Sequence, residues 1–198
     1  MTRIRPRPPL LPNRGSQGNI LLGMLRVALG KADGMAQFGG TRHSFLASLA
    51  PLVAFPLVGA LLVLAGGKPL DALGELLGTL CVLLVPPVVS FELARLWRRE
   101  DQWLHFATAF NWCYWLVPLL GMLLMFVVGL LTAAGLPEQV GVMVMVACLG
   151  GYGLWLHWFL ALHGLHVSRL RAALLVVAIN LVVAALVLGP RLLLMNRG

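Results

Sequence analysis

The sequence predicts an all-α fold, a polytopic membrane helix bundle of about five transmembrane helices preceded by an interfacial helix. The first observation behind this is composition. Of 198 residues, 60% are hydrophobic and 11% charged, with a mean hydropathy of +0.90. A soluble fold of this length needs many more polar side chains to cover its surface. The second is spacing, because the apolar residues gather into segments of the ~20 residues that a helix needs to cross a hydrocarbon core of ~30 Å.

Residues 1–19 read as a disordered basic arm facing the cytoplasm. Pro6, Pro8, Pro9 and Pro12 cannot sustain a helix, and Arg3, Arg5, Arg7 and Arg14 keep the segment solvated. No apolar stretch of signal-peptide form follows, so the amino terminus is expected to be retained. Residues 20–41 are expected to form an interfacial amphipathic helix and a turn, the alternative for the helix being a short cytoplasmic one packed on the bundle. Ile20, Leu21, Met24, Leu25 and Ala28 fall on one helical face, opposite a stripe of Asn19, Gly23, Arg26 and Gly30. The glycines of DGMAQFGG then predict a turn before the first span.

Residues 42–198 form the transmembrane domain, with spans at about 44–66, 73–96, 106–135, 140–162 and 172–194. The first carries Pro51 and Pro56 and the second Pro86-Pro87, while the third is long enough to tilt. In the fifth, eleven Leu, Ile and Val side chains each favour insertion by ~0.5 kcal/mol, which outweighs the single amide of Asn180.

Orientation follows from the arginines and lysines. With the amino terminus inside, the inner segments hold Arg3, Arg5, Arg7, Arg14, Arg26, Lys31, Arg42, Arg95, Arg98, Arg99, Arg169 and Arg171, and the outer ones hold Lys68, Arg191 and Arg197. This asymmetry predicts a bacterial inner (cytoplasmic) membrane protein with its amino terminus in the cytoplasm and its carboxyl terminus in the periplasm. The net charge of +8 lies beside apolar segments, so its expected partner is the bilayer with its anionic headgroups and no nucleic acid. A protein partner or homo-oligomer is a further expectation.

Cys81, Cys113 and Cys148 sit in apolar runs without paired spacing, which reads as packing and predicts no disulfide framework. The spans hold no HExxH, no paired aspartates and no GxSxG, so no catalytic residue and no cofactor is expected. Asp33-Gly34 opens like the CDP-alcohol transferase signature, but the other aspartates of that metal pattern are missing. The candidate intramembrane polar site comprises Glu92, Asn111, His157 and Asn180. Glu92 has Arg95 one turn on, and the two asparagines need interhelical hydrogen bonds in lipid. No metal site is predicted; the histidines that come nearest to one are His105, His163 and His166, with His163 and His166 on one helical face. Ala147 and Gly151, with Gly150 beside them, have the small-xxx-small spacing of a close helix contact, within the chain or between protomers.

Three stretches, ALGKADGMAQF before the first span, AFNWCYWL in the third and WFLALHGLHVSRLRAALLVVAIN from the fourth into the fifth, resemble the bacterial Yip family of small polytopic membrane proteins. The resemblance implies a five-helix bundle with a cytoplasmic amino terminus. The DLxGP-type motif of the eukaryotic, GTPase-binding relatives is missing, so no functional residue is carried over. The expected role is a non-enzymatic membrane protein that organises partner proteins or lipids. The alternatives are a small transporter or channel with a cytoplasmic-side polar site and, third, a haem or metal protein.

Overall fold

The computed structural model describes residues 18–67 and 69–195, with the backbone alone for 71 and 190–195. The arm expected over residues 1–19 therefore lies almost wholly outside the described residues, as do Lys68 and Arg197 of the charge count. Among the described residues there is no strand. The helices are α1 (Ile20–Ala28), α2 (Arg42–Ala65), α3 (Pro69–Leu96), α4 (Glu100–Cys113), α5 (Leu116–Ala133), α6 (Glu138–Gly164) and α7 (Arg169–Met195), with a 3-10 helix at Ala32–Gln37 between α1 and α2. Five segments are long and apolar enough to cross a membrane: α2, α3, α4 with α5, α6 and α7.

The chain runs up and down, so α1, the 3-10 helix, the start of α2, the α3–α4 turn and the α6–α7 turn share one end. Arg26, Lys31, Arg42, Arg95, Arg98, Arg99, Arg169 and Arg171 all lie there, and we call it the basic end. Two of its helices, α1 and α2, start on side-chain caps. Asn19 Oδ1 accepts from Leu22 N at 3.1 Å, and Thr41 Oγ1 accepts from Ser44 N at 3.1 Å, each satisfying an N–H that the helix leaves without a partner. The α3–α4 turn closes on Arg98 in the left-handed region (φ 56°), with Arg99 N bonded to Ala94 O at 2.8 Å.

The region before the first span differs from the simple amphipathic pattern. Gly23, Met24 and Val27 are the buried residues of α1, whereas Leu21, Leu22, Leu25 and Leu29 are exposed. Gly23 leaves the polar stripe because the 3-10 helix crosses it closely. A Cβ on Gly34 would stand 2.9 Å from Gly23 O and 2.8 Å from Arg26 Cβ. The expected turn is thus a 3-10 helix, fastened by an Arg26 Nη1–Asp33 Oδ2 ion pair of 3.1 Å.

The third span is broken. It starts at Glu100 rather than near residue 106, and its helix stops at Cys113 and resumes at Leu116. Pro118 is the cause. It has no N–H to give Tyr114 O, and its ring crowds that carbonyl, while its fixed φ suits the first turn of a new helix. Tyr114 O is left with a long bond of 3.4 Å from Val117 N.

The break divides the bundle into unlike halves. In the basic half α4 is the central helix, with Phe106 through Asn111 and Cys113 buried against α1, α2, α3 and α6. Phe106, Leu156, Leu160, Leu165 and Leu175 are the largest fully buried apolar side chains. Tryptophans fasten this half: Trp103 Nε1 donates to Ser90 Oγ (3.0 Å), Trp158 Nε1 donates to Arg169 O (3.2 Å), and the Arg171 guanidinium lies 5.8 Å above the Trp97 ring. In the far half α5 buries none of its residues and rests chiefly on α6.

Cys113 packs in the core as expected, but Cys81 and Cys148 are exposed. The small residues of α6 make no close helix contact among the described residues, since a Cβ on Gly150 or Gly151 would touch nothing within 4 Å.

Candidate functional site

Three of the four polar residues singled out from the sequence converge. Asn111 (α4), His157 (α6) and Asn180 (α7) line one cavity of about 200 Å³, together with Leu52 of α2, Val82, Leu83 and Pro86 of α3, Phe110 and Tyr114. Asn111 is buried and its Nδ2 donates to Ser48 Oγ of α2 at 2.9 Å. Asn180 Nδ2 donates to Val176 O, one turn back, at 2.8 Å. An amide carries two N–H donors and a carbonyl, so that bond leaves polar valences of Asn180 for another partner. The His157 ring lies 4.8 Å from the Phe110 ring, and its Nδ1 is buried without a hydrogen-bond partner. Such an orphaned atom costs ~1–3 kcal/mol unless something in the cavity pairs with it.

Glu92 is elsewhere. It is exposed at the basic end of α3, where Oε2 lies 3.9 Å from Arg95 Nη1. A carboxylate this close to a helix end and three arginines reaches polar surroundings along its own helix, which removes any need to turn inward.

The backbone contributes as much as the side chains. Leu52, Val82, Leu83 and Tyr114 stand four residues ahead of Pro56, Pro86, Pro87 and Pro118, and each loses the N–H that a regular helix would give its carbonyl. Four proline-freed carbonyls thus belong to residues lining one cavity. Irregular backbone is tolerated at membrane depth where it faces protein or a polar space. The i−4 relationship to proline was the sequence signal for Tyr114, which sequence reasoning passed over.

Two larger spaces adjoin the cavity. A cleft of about 330 Å³ shares Leu52, Leu83 and Tyr114 with it and runs between α2 and α3 to Glu75. A groove of about 750 Å³ shares Tyr114, His157 and Asn180 with it and runs between α5 and α6 over Pro118, Gly121, Leu149, Gly150, Gly153 and Leu154. Tyr114, at the helix break, borders all three spaces.

The histidines of the basic end do not converge. His105 Nε2 is 2.9 Å from Met35 O, His166 Nδ1 is 3.2 Å from Gln102 Oε1, and the His163 ring lies 4.5 Å from the Phe159 ring. Among the described residues no three His, Cys, Asp or Glu side chains are grouped to hold a metal ion.

Fold and site together define a polytopic helical membrane protein with a largely apolar cavity that Asn111, Tyr114, His157 and Asn180 also line. No protein-family model matches the sequence, and no curated protein or solved structure is similar to it.

Proposed function

We propose that this chain is a non-enzymatic, multi-pass membrane protein that receives a small polar ligand, or the polar part of a larger one, in the central cavity. It is a carrier-type protein of the bacterial inner membrane, with its amino terminus in the cytoplasm and its carboxyl terminus in the periplasm. The observation that carries the reading is that Asn111, His157 and Asn180 line one cavity together with four residues, Leu52, Val82, Leu83 and Tyr114, whose carbonyls lose a helical donor to proline. Polar groups are costly in lipid, and discontinuous helices with unpaired carbonyls are how membrane carriers build binding sites. The arginines of the basic end support the orientation and the attraction to anionic headgroups. The resemblance to the Yip family enters as an architectural proposal alone.

The test uses single cysteines in a background carrying Cys81→Ala, Cys113→Ala and Cys148→Ala. Maleimide reacts with thiolate, which needs water or polar surroundings to form. Asn180 and Leu181 are both exposed on α7, but only Asn180 lines the cavity and the adjoining groove, so in membrane vesicles Asn180→Cys is expected to react at least severalfold faster than Leu181→Cys. Equal rates would end the reading.

A second reading, organisation of a protein partner or a second copy, is favoured by the bare Ala147–Gly150–Gly151 surface of α6. Gly151→Leu disrupts such an association and leaves Asn180→Cys labelling unchanged. Crosslinking in native membranes reads the difference.

A further inference from the structure

The reading of the cavity as a ligand site leaves open what binds there and how it arrives, and two features of the molecule answer both. The first is the chemistry of the lining. Among the described residues no arginine, lysine, aspartate or glutamate lines the cavity, and Glu75 lies in the adjoining α2–α3 cleft outside it. An ion brought in from water would lose its hydration without a countercharge, so an uncharged guest is favoured strongly. Four of the lining residues, Leu52, Val82, Leu83 and Tyr114, have carbonyls that lose their regular helical donor to proline, and Tyr114 O keeps only the 3.4 Å bond from Val117 N. A guest that donates a hydrogen bond suits this set, and the remaining Asn180 and Tyr114 donors suit its oxygen. An uncharged hydroxyl group meets both requirements.

The second feature is the groove. The break at Pro118 carries α5 away from α2 and α3, leaving it on α6. The space this opens is apolar along Val117, Leu149 and Leu154, and it reaches Asn180 and His157 directly. Its floor is made of glycines whose missing side chains are its width. A Cβ on Gly153 would find nothing nearer than Val117 Cγ2 at 4.0 Å, and one on Gly150 nothing within 4 Å. Close packing therefore does not explain these two glycines. The groove lies among exposed apolar side chains that include Leu119, Leu123, Val146 and Leu154, so its mouth faces the hydrocarbon of the bilayer.

We propose that the cavity holds the hydroxyl head of a long-chain, uncharged amphiphile, which reaches it sideways from the bilayer with its chain lying in the α5–α6 groove. The proposal rests on the cavity being a ligand site and adds the ligand's class and route.

The full chain in phosphatidylcholine nanodiscs is exposed to hexadecanol bearing a diazirine in its tail, irradiated, and mapped by peptide mass spectrometry. Saturable crosslinks are expected at residues 117–121 and 149–154. Unlabelled hexadecanol is expected to compete about tenfold better than hexadecane or palmitate at neutral pH. Gly150→Leu and Gly153→Leu, which fill the groove where an added side chain has room, are expected to remove the saturable crosslinks. Asn180→Leu is expected to lower them about fivefold while leaving the groove open. Crosslinks spread evenly over the exposed helices overturn the proposal, as does equal competition by palmitate or hexadecane, or undiminished labelling of the glycine variants. The maleimide reactivity of Asn180→Cys is read separately. If it persists while the long-chain probe fails, the polar cavity stands and the lateral route falls.

Discussion

Asn111 of α4 and Ser48 of α2 are joined by a 2.9 Å hydrogen bond inside the bundle, and both side chains are buried. Ser48 Oγ also donates to Phe45 O at 2.6 Å, so the hydroxyl accepts from the amide of α4 while its own hydrogen is bonded within its own helix. The pair ties the central helix to the first span beside the cavity.

A double-mutant cycle of Ser48→Ala and Asn111→Leu is expected to give a coupling of ~0.6 kcal/mol, the usual worth of an interhelical bond in lipid. Ser48→Ala alone costs more than the coupling, since it leaves a buried amide N–H without its acceptor. Reversible unfolding in mixed micelles measures all three variants.

Gly34→Ala is expected to destabilise the protein by ~1–3 kcal/mol, because the new methyl group meets Arg26 Cβ, Gly23 O and Val27 N at 2.8, 2.9 and 3.0 Å. Gly59→Ala meets nothing within 4 Å and is expected to be neutral or stabilising. Thermal melting in one detergent compares the two, and a Gly34→Ala melt equal to wild type would show that α1 does not dock as described.

Arg98→Gly is expected to stabilise the α3–α4 turn by ~1 kcal/mol, because Arg98 holds φ 56° against its own Cβ and glycine does so freely. The salt dependence of the melt separates this gain from any change in repulsion among the neighbouring arginines.

Pro118→Ala restores the N–H that Tyr114 O lacks and makes one continuous helix through residues 113–116 favourable. The α5 helix then swings back toward α2 and α3, and Asn180→Cys in the same chain is expected to react with maleimide severalfold more slowly. Unchanged reactivity would show that the break does not hold the groove open.

Much of the bundle is written in composition at the scale of a whole span. The segments expected at about 44–66, 140–162 and 172–194 correspond to Arg42–Ala65, Glu138–Gly164 and Arg169–Met195, because hydropathy summed over ~20 residues is insensitive to any one side chain. The split of the third span depends on a single missing N–H at Pro118, which such a sum averages away. Amphipathicity located the helix α1 but not the side that docks: in lipid a leucine gains nothing by turning inward, so Leu21 and Leu25 face out while Gly23 is buried for its smallness. Asn111, His157 and Asn180 were identifiable as polar groups needing partners. Their meeting was not, since it depends on the rotation of α4, α6 and α7 about their axes, which packing alone decides. Glu92 looked equivalent in the sequence, and its position one turn from Arg95 at a helix end is what separates it.

The bare surface of α5 has a mechanical consequence. A helix that buries no side chain in protein is positioned on three sides by acyl chains, so membrane thickness and lateral pressure bear on it directly, while the basic half is braced by its own core. The bilayer thus serves as the fourth wall of the groove, and a change in lipid composition is expected to alter the shape of the groove without any change in the sequence.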